Sequence, residues 1–422
     1  MLTSNMGEST LNTSVLQRFL RYVVIDTQSM EDSTTYPSTA KQYDLLRLLV
    51  DELRAIGLAD VDLDEHGYVF ATIPATSSKS SVPVIGLIAH VDTSPEMSGT
   101  GVRPIVHRNY RGQDLILPDD PSIVLRTKDI PELADRVGND IVTASGTTLL
   151  GADNKAGVAE IVAAAEFLMA NPDIPHGRIR VAFTPDEEVG RGTTFFDLTR
   201  FGAAYAYTMD GGPRGELETE SFSADAITLT FQGRNTHPGF AKGTMINSIK
   251  VAADFINRLP KTERSPETTE KYEGYVHPYV VQASVDKTSV KCLIRDFNTP
   301  GLQEKEAFLD RLAAETVRDW PGASYRASVE ESYRNMKEVL DAHPGVAECA
   351  REAIRRSGLA VHERPIRGGT DGCRLSFMGL PTPNIFAGEH NFHSRLEWVS
   401  VQDMEKAVEV IVNLARVWEE RS

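Results

Sequence analysis

Two hydrophobic periods alternate along the chain. Leu45, Leu46, Leu49, Leu53 and Ile56 recur at helical spacing and stop at Gly57, which predicts an amphipathic helix ended by a glycine. Residues 16–25 predict an earlier helix behind a loose leader at residues 1–12, and residues 26–37 are polar and turn-rich. Residues 61–73 read as two short strands around His66-Gly67. Residues 84–89 are a nearly continuous apolar run, as in a strand buried on both faces, and they end at His90-Val91-Asp92. Residues 95–140 lack a clear period and predict a surface wrap with a few short strands. A loop at 146–150 runs into a short apolar strand, after which Val158, Ile161, Val162, Ala165, Leu168 and Met169 return to helical spacing. Ile179, Val181 and Phe183 alternate toward one face before Asp186-Glu187-Glu188. Residues 203–209 predict a further strand ending at Asp210-Gly211-Gly212.

Strands that end in acids or a histidine, with helices between several of them, follow the grammar of a mostly parallel sheet. The pattern changes near residue 216. Strands at 226–231, 280–285, 290–297 and 324–329 and helices at 247–259 and 303–318 run strand–helix–strand–strand–helix–strand. That order predicts a smaller ferredoxin-like α+β unit inserted into the larger domain. After residue 332 the α/β style resumes, with a strand at 383–386 and a loop carrying His390 and His393. Ser400 and Asp403 have capping-box spacing before a closing helix, whose buried face is Met404, Ala407, Val408, Ile411, Leu414, Ala415 and Trp418. The predicted fold is thus an α/β domain, a mostly parallel sheet with helices on both faces, at residues 1–220 and 332–422. The inserted lid domain is residues 221–331.

A chain of 422 residues suits two domains. Asp and Glu outnumber Lys and Arg, and the formal net charge is −16. This argues against a nucleic-acid surface, which needs a basic patch, and allows an acidic site that holds cations. No apolar run has the length of a membrane span, and no signal-peptide pattern opens the chain. Cys292, Cys349 and Cys373 are odd in number and far apart, which fits a reducing cytoplasm rather than a disulfide framework.

Divalent metals want carboxylates and imidazoles gathered from separate segments. His90, Asp92, Asp153, Glu187, Glu188, Asp210 and His393 are such residues, at the ends of five segments. Asp153 lies between a strand end and a helix start, with Gly151 and Gly157 on either side to allow close backbone approach. His90 and Asp92, two apart on extended backbone, point the same way, so the acid can hold the second ring nitrogen of the imidazole. Glu187 and Glu188 are adjacent and can face different sides.

The motifs HVDTSP at 90–95, GADNKAG at 151–157, FTPDEEVG at 183–190 and YTMDGG at 207–212 resemble the metal motifs of the M20 di-zinc metallopeptidases. NTHPG at 235–239, LIRDF at 293–297 and RGGTDG at 367–372 narrow the likeness to the aminopeptidases of that family that act on tripeptides. The ordered set spans roughly residues 14 to 418. The resemblance implies two zinc ions per subunit bridged by Asp153, with His90, Glu188, Asp210 and His393 as the other ligands. It implies that Asp92 orients His90, that Glu187 is the general base, and that the bond from Asp153 to Asn154 is cis. His237 is implied as an oxyanion donor, on closure of the lid or from a partner subunit. Arg295 and Arg367 are the candidate readers of a substrate carboxylate, because a guanidinium fork matches one.

Two departures stand out. Asn154 replaces a second aspartate found in some relatives, and Leu396 replaces the second histidine of a His-Gly-Lys-His-Glu pattern. The expected partners are short peptides, without nucleic acid or membrane, and a homodimer is left open. The rival readings are another M20 reaction (dipeptidase, carboxypeptidase or N-acyl amino acid deacylase) and a non-catalytic binding protein that has kept the fold.

Overall fold

The structure, a computed structural model, describes residues 8–422, with side chains from Ser14 onward. Part of the expected leader, residues 1–7, lies outside the described residues. The remainder of it is helical, because the first helix is Glu8–Val23 rather than residues 16–25. The chain forms two compact units. One comprises the described residues up to Thr219, with Glu338–Arg364 and Thr370–Ser422; the other comprises Glu220–Lys337 and Pro365–Gly369. The short segment Pro365–Gly369, which the sequence division assigns to the returning part, thus belongs to the second unit.

The first unit is built on an eight-stranded sheet. Its spatial order is Ala59–Leu63, Val69–Ile73, Ile179–Thr184, Ile85–His90, Tyr205–Gly211, Asn384–Phe386, Glu216–Glu218 and His362–Glu363. Ile179–Thr184, Ile85–His90, Tyr205–Gly211 and Asn384–Phe386 run parallel, and the strands flanking these four pair antiparallel to them. Side-chain alternation sorts the two faces. Ile85, Leu87, Ile179, Val181 and Phe183 join one core with the helices Gln42–Ile56, Ala152–Ala170 and Val401–Glu420. Ile88 and Ala182 face the other way, into a core with Tyr68, Phe70, Phe196, Phe201 and Leu375. Both faces are covered, so the central strands Ile85–His90 and Ile179–Thr184 are buried throughout.

The helix Gln42–Ile56 ends as expected, on Gly57 at φ 92°, where a side chain would be strained. The expected strand around Leu150 is absent: Ile141–Thr143 is the strand, and Leu149-Leu150 is irregular chain. That strand belongs to a small antiparallel sheet in the order Glu389–His390, Trp398–Ser400, Ile141–Thr143, Ile105–His107. The sheet fixes both ends of the loop that carries His393.

The second unit is a four-stranded antiparallel sheet in the order Tyr275–Ala283, Lys287–Asp296, Ser223–Gln232, Ser324–Tyr333, packed with the helices Ser248–Arg258 and Thr299–Arg318. Its strands are longer than their apolar patterns, because exposed residues continue the ladder past the buried ones; Ser324–Tyr333 is mostly exposed.

Candidate metal centre

The C-terminal ends of the parallel strands gather the expected residues, where open α/β sheets place ligands. His90 ends its strand, Glu187 and Glu188 follow Ile179–Thr184, and Asp210 lies near the end of Tyr205–Gly211. Asp153 sits in the non-helical first turn of Ala152–Ala170, and its bond to Asn154 is cis. Gly157 serves packing: a Cβ there would collide with the Met209 carbonyl oxygen.

Asp153 is the hub. Its Oδ1 is 3.0 Å from His90 Nε2, and its Oδ2 is 3.1 Å from His393 Nε2. Beside His90 stands Asp210, with Oδ1 at 3.4 Å from the same ring nitrogen. Glu188 Oε2 lies 2.8 Å from His393 Nε2. Atoms bound at about 2.0–2.1 Å to one tetrahedral zinc lie roughly 3.3 Å apart, so these pairs have the spacing of ligands, and the ligand atoms of His90, Asp153 and Glu188 and those of Asp153, Asp210 and Glu389 all lie within 4.8 Å of one another in each group. Glu188 Oε1 is buried without a hydrogen-bond partner, as a carboxylate oxygen awaiting a cation would be. The donor set of imidazoles and carboxylates fits divalent ions.

His90 Nδ1 lies 3.0 Å from the backbone carbonyl of Asp92, which accepts from it, and 3.3 Å from the Asp92 carboxylate. Asp92 does more: its two carboxylate oxygens accept the backbone N–H groups of Glu187 and Glu188, at 3.0 and 3.2 Å. Asp186, at φ 60°, braces the same turn by accepting from the Ser38 backbone N–H at 2.6 Å and from Gln42 Nε2 at 2.7 Å.

Burial pushes the Glu187 carboxyl well above the ordinary range, and Asp210, Asp371 and Glu188 add to this against His90. Burial, then Asp153, pushes Glu188 up to about 8. Asp153 moves the opposite way: burial alone would raise it, but hydrogen bonds from His393 and His90 hold it well below the carboxylate range. Burial would lower both imidazoles, yet the surrounding acids win, raising His393 to about 11 and His90 well above its ordinary value.

His390 is not part of the cluster. It is buried, its ring stacks on Trp398 at 3.9 Å, and burial lowers it to about 3. Leu396 packs on the small core of Tyr110, Leu117, Leu133 and Trp398.

In the second unit, His237 is exposed, and its Nδ1 accepts from the Gly239 N–H at 3.1 Å, which leaves the proton of a neutral ring on Nε2. Arg295 donates only to the neighbouring Ile294 carbonyl and lies over the Tyr333 ring; it has no carboxylate partner among the described residues. Arg367 lies in the same unit. Its guanidinium donates to the carbonyls of Lys271 at 2.7 Å and Glu273 at 2.8 Å and to Thr269 Oγ1 at 3.0 Å, and it stacks over Phe222. The fork that would read a substrate carboxylate is occupied by the protein's own backbone.

Three acids at the centre were given no role by the sequence. Glu397 accepts the N–H groups of Leu150, Gly151 and Asp153 at 2.6, 2.8 and 3.1 Å, which fixes the turn that presents Asp153. Asp371 is buried, accepts from Thr184 Oγ1 at 2.8 Å and is pushed by burial up to about 7. Glu389 lies beside Asp153 and Asp210. Glu397 stands at the last position of the His-Gly-Lys-His-Glu pattern, but nothing in that pattern tells that the carboxylate reaches three amides.

The family model of Peptidase family M20/M25/M40 matches residues 148–417. The chain belongs to that family. A protein of Geobacillus thermodenitrificans named peptidase T is 48% identical over 408 residues, covering 97% of this chain and 99% of its own. Among solved structures, an aminopeptidase from Bacillus cereus superposes with a TM-score of 0.73 at 22% identity, covering 96% of this chain and 98% of its own. A tripeptidase from Staphylococcus aureus superposes with a TM-score of 0.76 at 20% identity, covering 97% and 99%. Within the family the chain stands with the peptidases T, as a metallo-aminopeptidase.

Proposed function

We propose that the protein removes the N-terminal residue from tripeptides with two divalent ions, zinc in the first instance, bridged by Asp153. The observation that carries this is the pair of imidazoles on opposite oxygens of one carboxylate, each with a second acid beside it. His90 and Asp210 would hold one ion, and His393 and Glu188 the other. Ions held there would supply a nucleophilic hydroxide at neutral pH and polarise the scissile carbonyl.

The chain's own residues do the rest. Glu187, 3.9 Å from His90 Nε2 and held by Asp92 through its backbone, accepts the proton of the attacking water and passes it to the leaving amine. Its raised proton affinity, caused first by burial, suits a group that must both take and return a proton. His237 donates its Nε2–H to the developing oxyanion. Arg295 reads the substrate's C-terminal carboxylate; Arg367 holds residues 269–273 in place. That the Staphylococcus aureus neighbour is a tripeptidase supports the substrate length. Among the described residues no helix is long and apolar enough to cross a membrane. Cys292 and Cys349 are buried free thiols, which supports a cytoplasmic setting.

Product analysis on a free tripeptide and its N-acetylated form, with zinc added, tests the reading. Release of the first residue from the free peptide alone is expected. Cleavage of the acetylated peptide at the acyl bond would make the protein a deacylase instead.

A further inference from the structure

Of the three acids at the centre that the family likeness leaves without a role, Glu389 lies beside Asp153 and Asp210. Glu389 opens the two-residue strand Glu389–His390 and is paired there with Val399, so the backbone fixes its position. It is only 2% exposed, and its Oε1 has no hydrogen-bond partner. One of its oxygens lies within 4.8 Å of an oxygen from Asp153 and another from Asp210. The charged groups around it are Asp153, Asp210 and Glu160 against the single imidazole of His90. Glu160 is itself fully buried, with both oxygens unpartnered. A buried carboxylate without a hydrogen bond is costly, and acids packed against it raise that cost. A divalent cation shared with Asp153 and Asp210 removes both penalties.

We infer that Glu389 is a further ligand of the ion held by Asp153 and Asp210, which makes the two ion sites chemically unlike. This rests on the two-ion reading above. One site then offers three carboxylates with His90; the other offers two, from Asp153 and Glu188, with His393. Carboxylate-rich sets suit harder cations such as Mn²⁺, and imidazole raises the preference for zinc. The Glu389 site is therefore the one that yields more readily to Mn²⁺, and a preparation given both metals fills as a mixed pair.

The test uses the full chain stripped by chelator and titrated with Mn²⁺, free Mn²⁺ being read by its electron paramagnetic resonance signal. Wild type should bind two ions. Glu389→Gln, which keeps the shape and removes the charge, should weaken one of them by at least about tenfold, the scale of a lost metal-site partner, and leave the other unchanged. Two ions bound by Glu389→Gln as tightly as by wild type would overturn the inference and leave the two-ion reading standing. Fewer than two ions in wild type would overturn both. Should Glu389→Gln not fold, zinc competition on the Mn²⁺-loaded wild type reads the same property. One Mn²⁺ should resist displacement to a larger zinc excess than the other; loss of both together would overturn the inference.

Discussion

The backbone N–H of Glu187 donates to Asp92 Oδ1 at 3.0 Å. Asp92 also faces His90 Nδ1 at 3.3 Å, so one buried acid ties an imidazole of the metal centre to the turn that carries the proposed base. Asp92→Asn presents an amide N–H₂ where the site needs an acceptor for two backbone donors and a ring nitrogen. Metal affinity should fall by about 10–100-fold, and kcat should fall further than loss of metal explains. Metal titration followed by kinetics at saturating metal separates the two effects. Equal kcat at saturation would confine Asp92 to holding His90.

Glu187→Gln should keep both ions and lose about 10²–10⁴-fold in kcat, the usual contribution of a positioned general base. Metal analysis beside turnover checks this. Near-normal kcat would remove Glu187 from the role.

Metal uptake should release protons and weaken as pH falls. The surrounding carboxylates raise His393 to about 11, so that ring is protonated at neutral pH in the ion-free chain, and they raise His90 in the same direction. An ion bonds to an unprotonated ring nitrogen, so the His393 imidazole gives up a proton on binding. Proton and metal compete, and acid favours the proton. Calorimetric titration in two buffers of different ionisation enthalpy counts the protons released; a count of zero at pH 7 would contradict this charge state.

Arg295 and Arg367 should behave differently. Arg295→Ala should narrow the preference for a tripeptide over its C-terminal amide, because it removes a hydrogen bond to a charged group worth about 1.5–3 kcal/mol. At about 1.4 kcal/mol per tenfold, that is a factor of roughly ten to a hundred or more in kcat/KM. Arg367→Ala should instead lower thermal stability, since three of its backbone and side-chain acceptors lie in residues 269–273. Kinetics on the acid–amide pair together with thermal melts distinguishes them. An acid–amide preference untouched in Arg295→Ala would remove it as the reader.

Much of this was legible in the sequence because the information is local. A buried strand ending in HVDTSP must present His90 and Asp92 at a sheet edge, whatever lies around it. The ferredoxin-like order of the second unit follows from alternation alone. What stayed hidden depends on distant partners. Glu397 reaches amides nearly 250 positions away in sequence, and no pattern of residue types records that a carboxylate faces backbone. Whether a guanidinium is free is likewise a tertiary fact, and Arg367 read as available because Lys271 and Glu273 are remote in sequence. Nothing in the residue pattern marks Glu389; only its burial beside Asp210 sets it apart. The first helix was begun too late because Glu8 and its polar neighbours give no apolar stripe.

The most direct test of the account is the metal content of Asp153→Ala. Each oxygen of Asp153 faces a different imidazole, so one substitution removes a ligand from both sites at once. After dialysis against buffered zinc, wild type should carry two ions per chain and Asp153→Ala should retain neither at the same free zinc, with its fold confirmed by circular dichroism. Two tightly held ions in Asp153→Ala, or a single ion in wild type, would contradict the bridge on which the proposed chemistry depends.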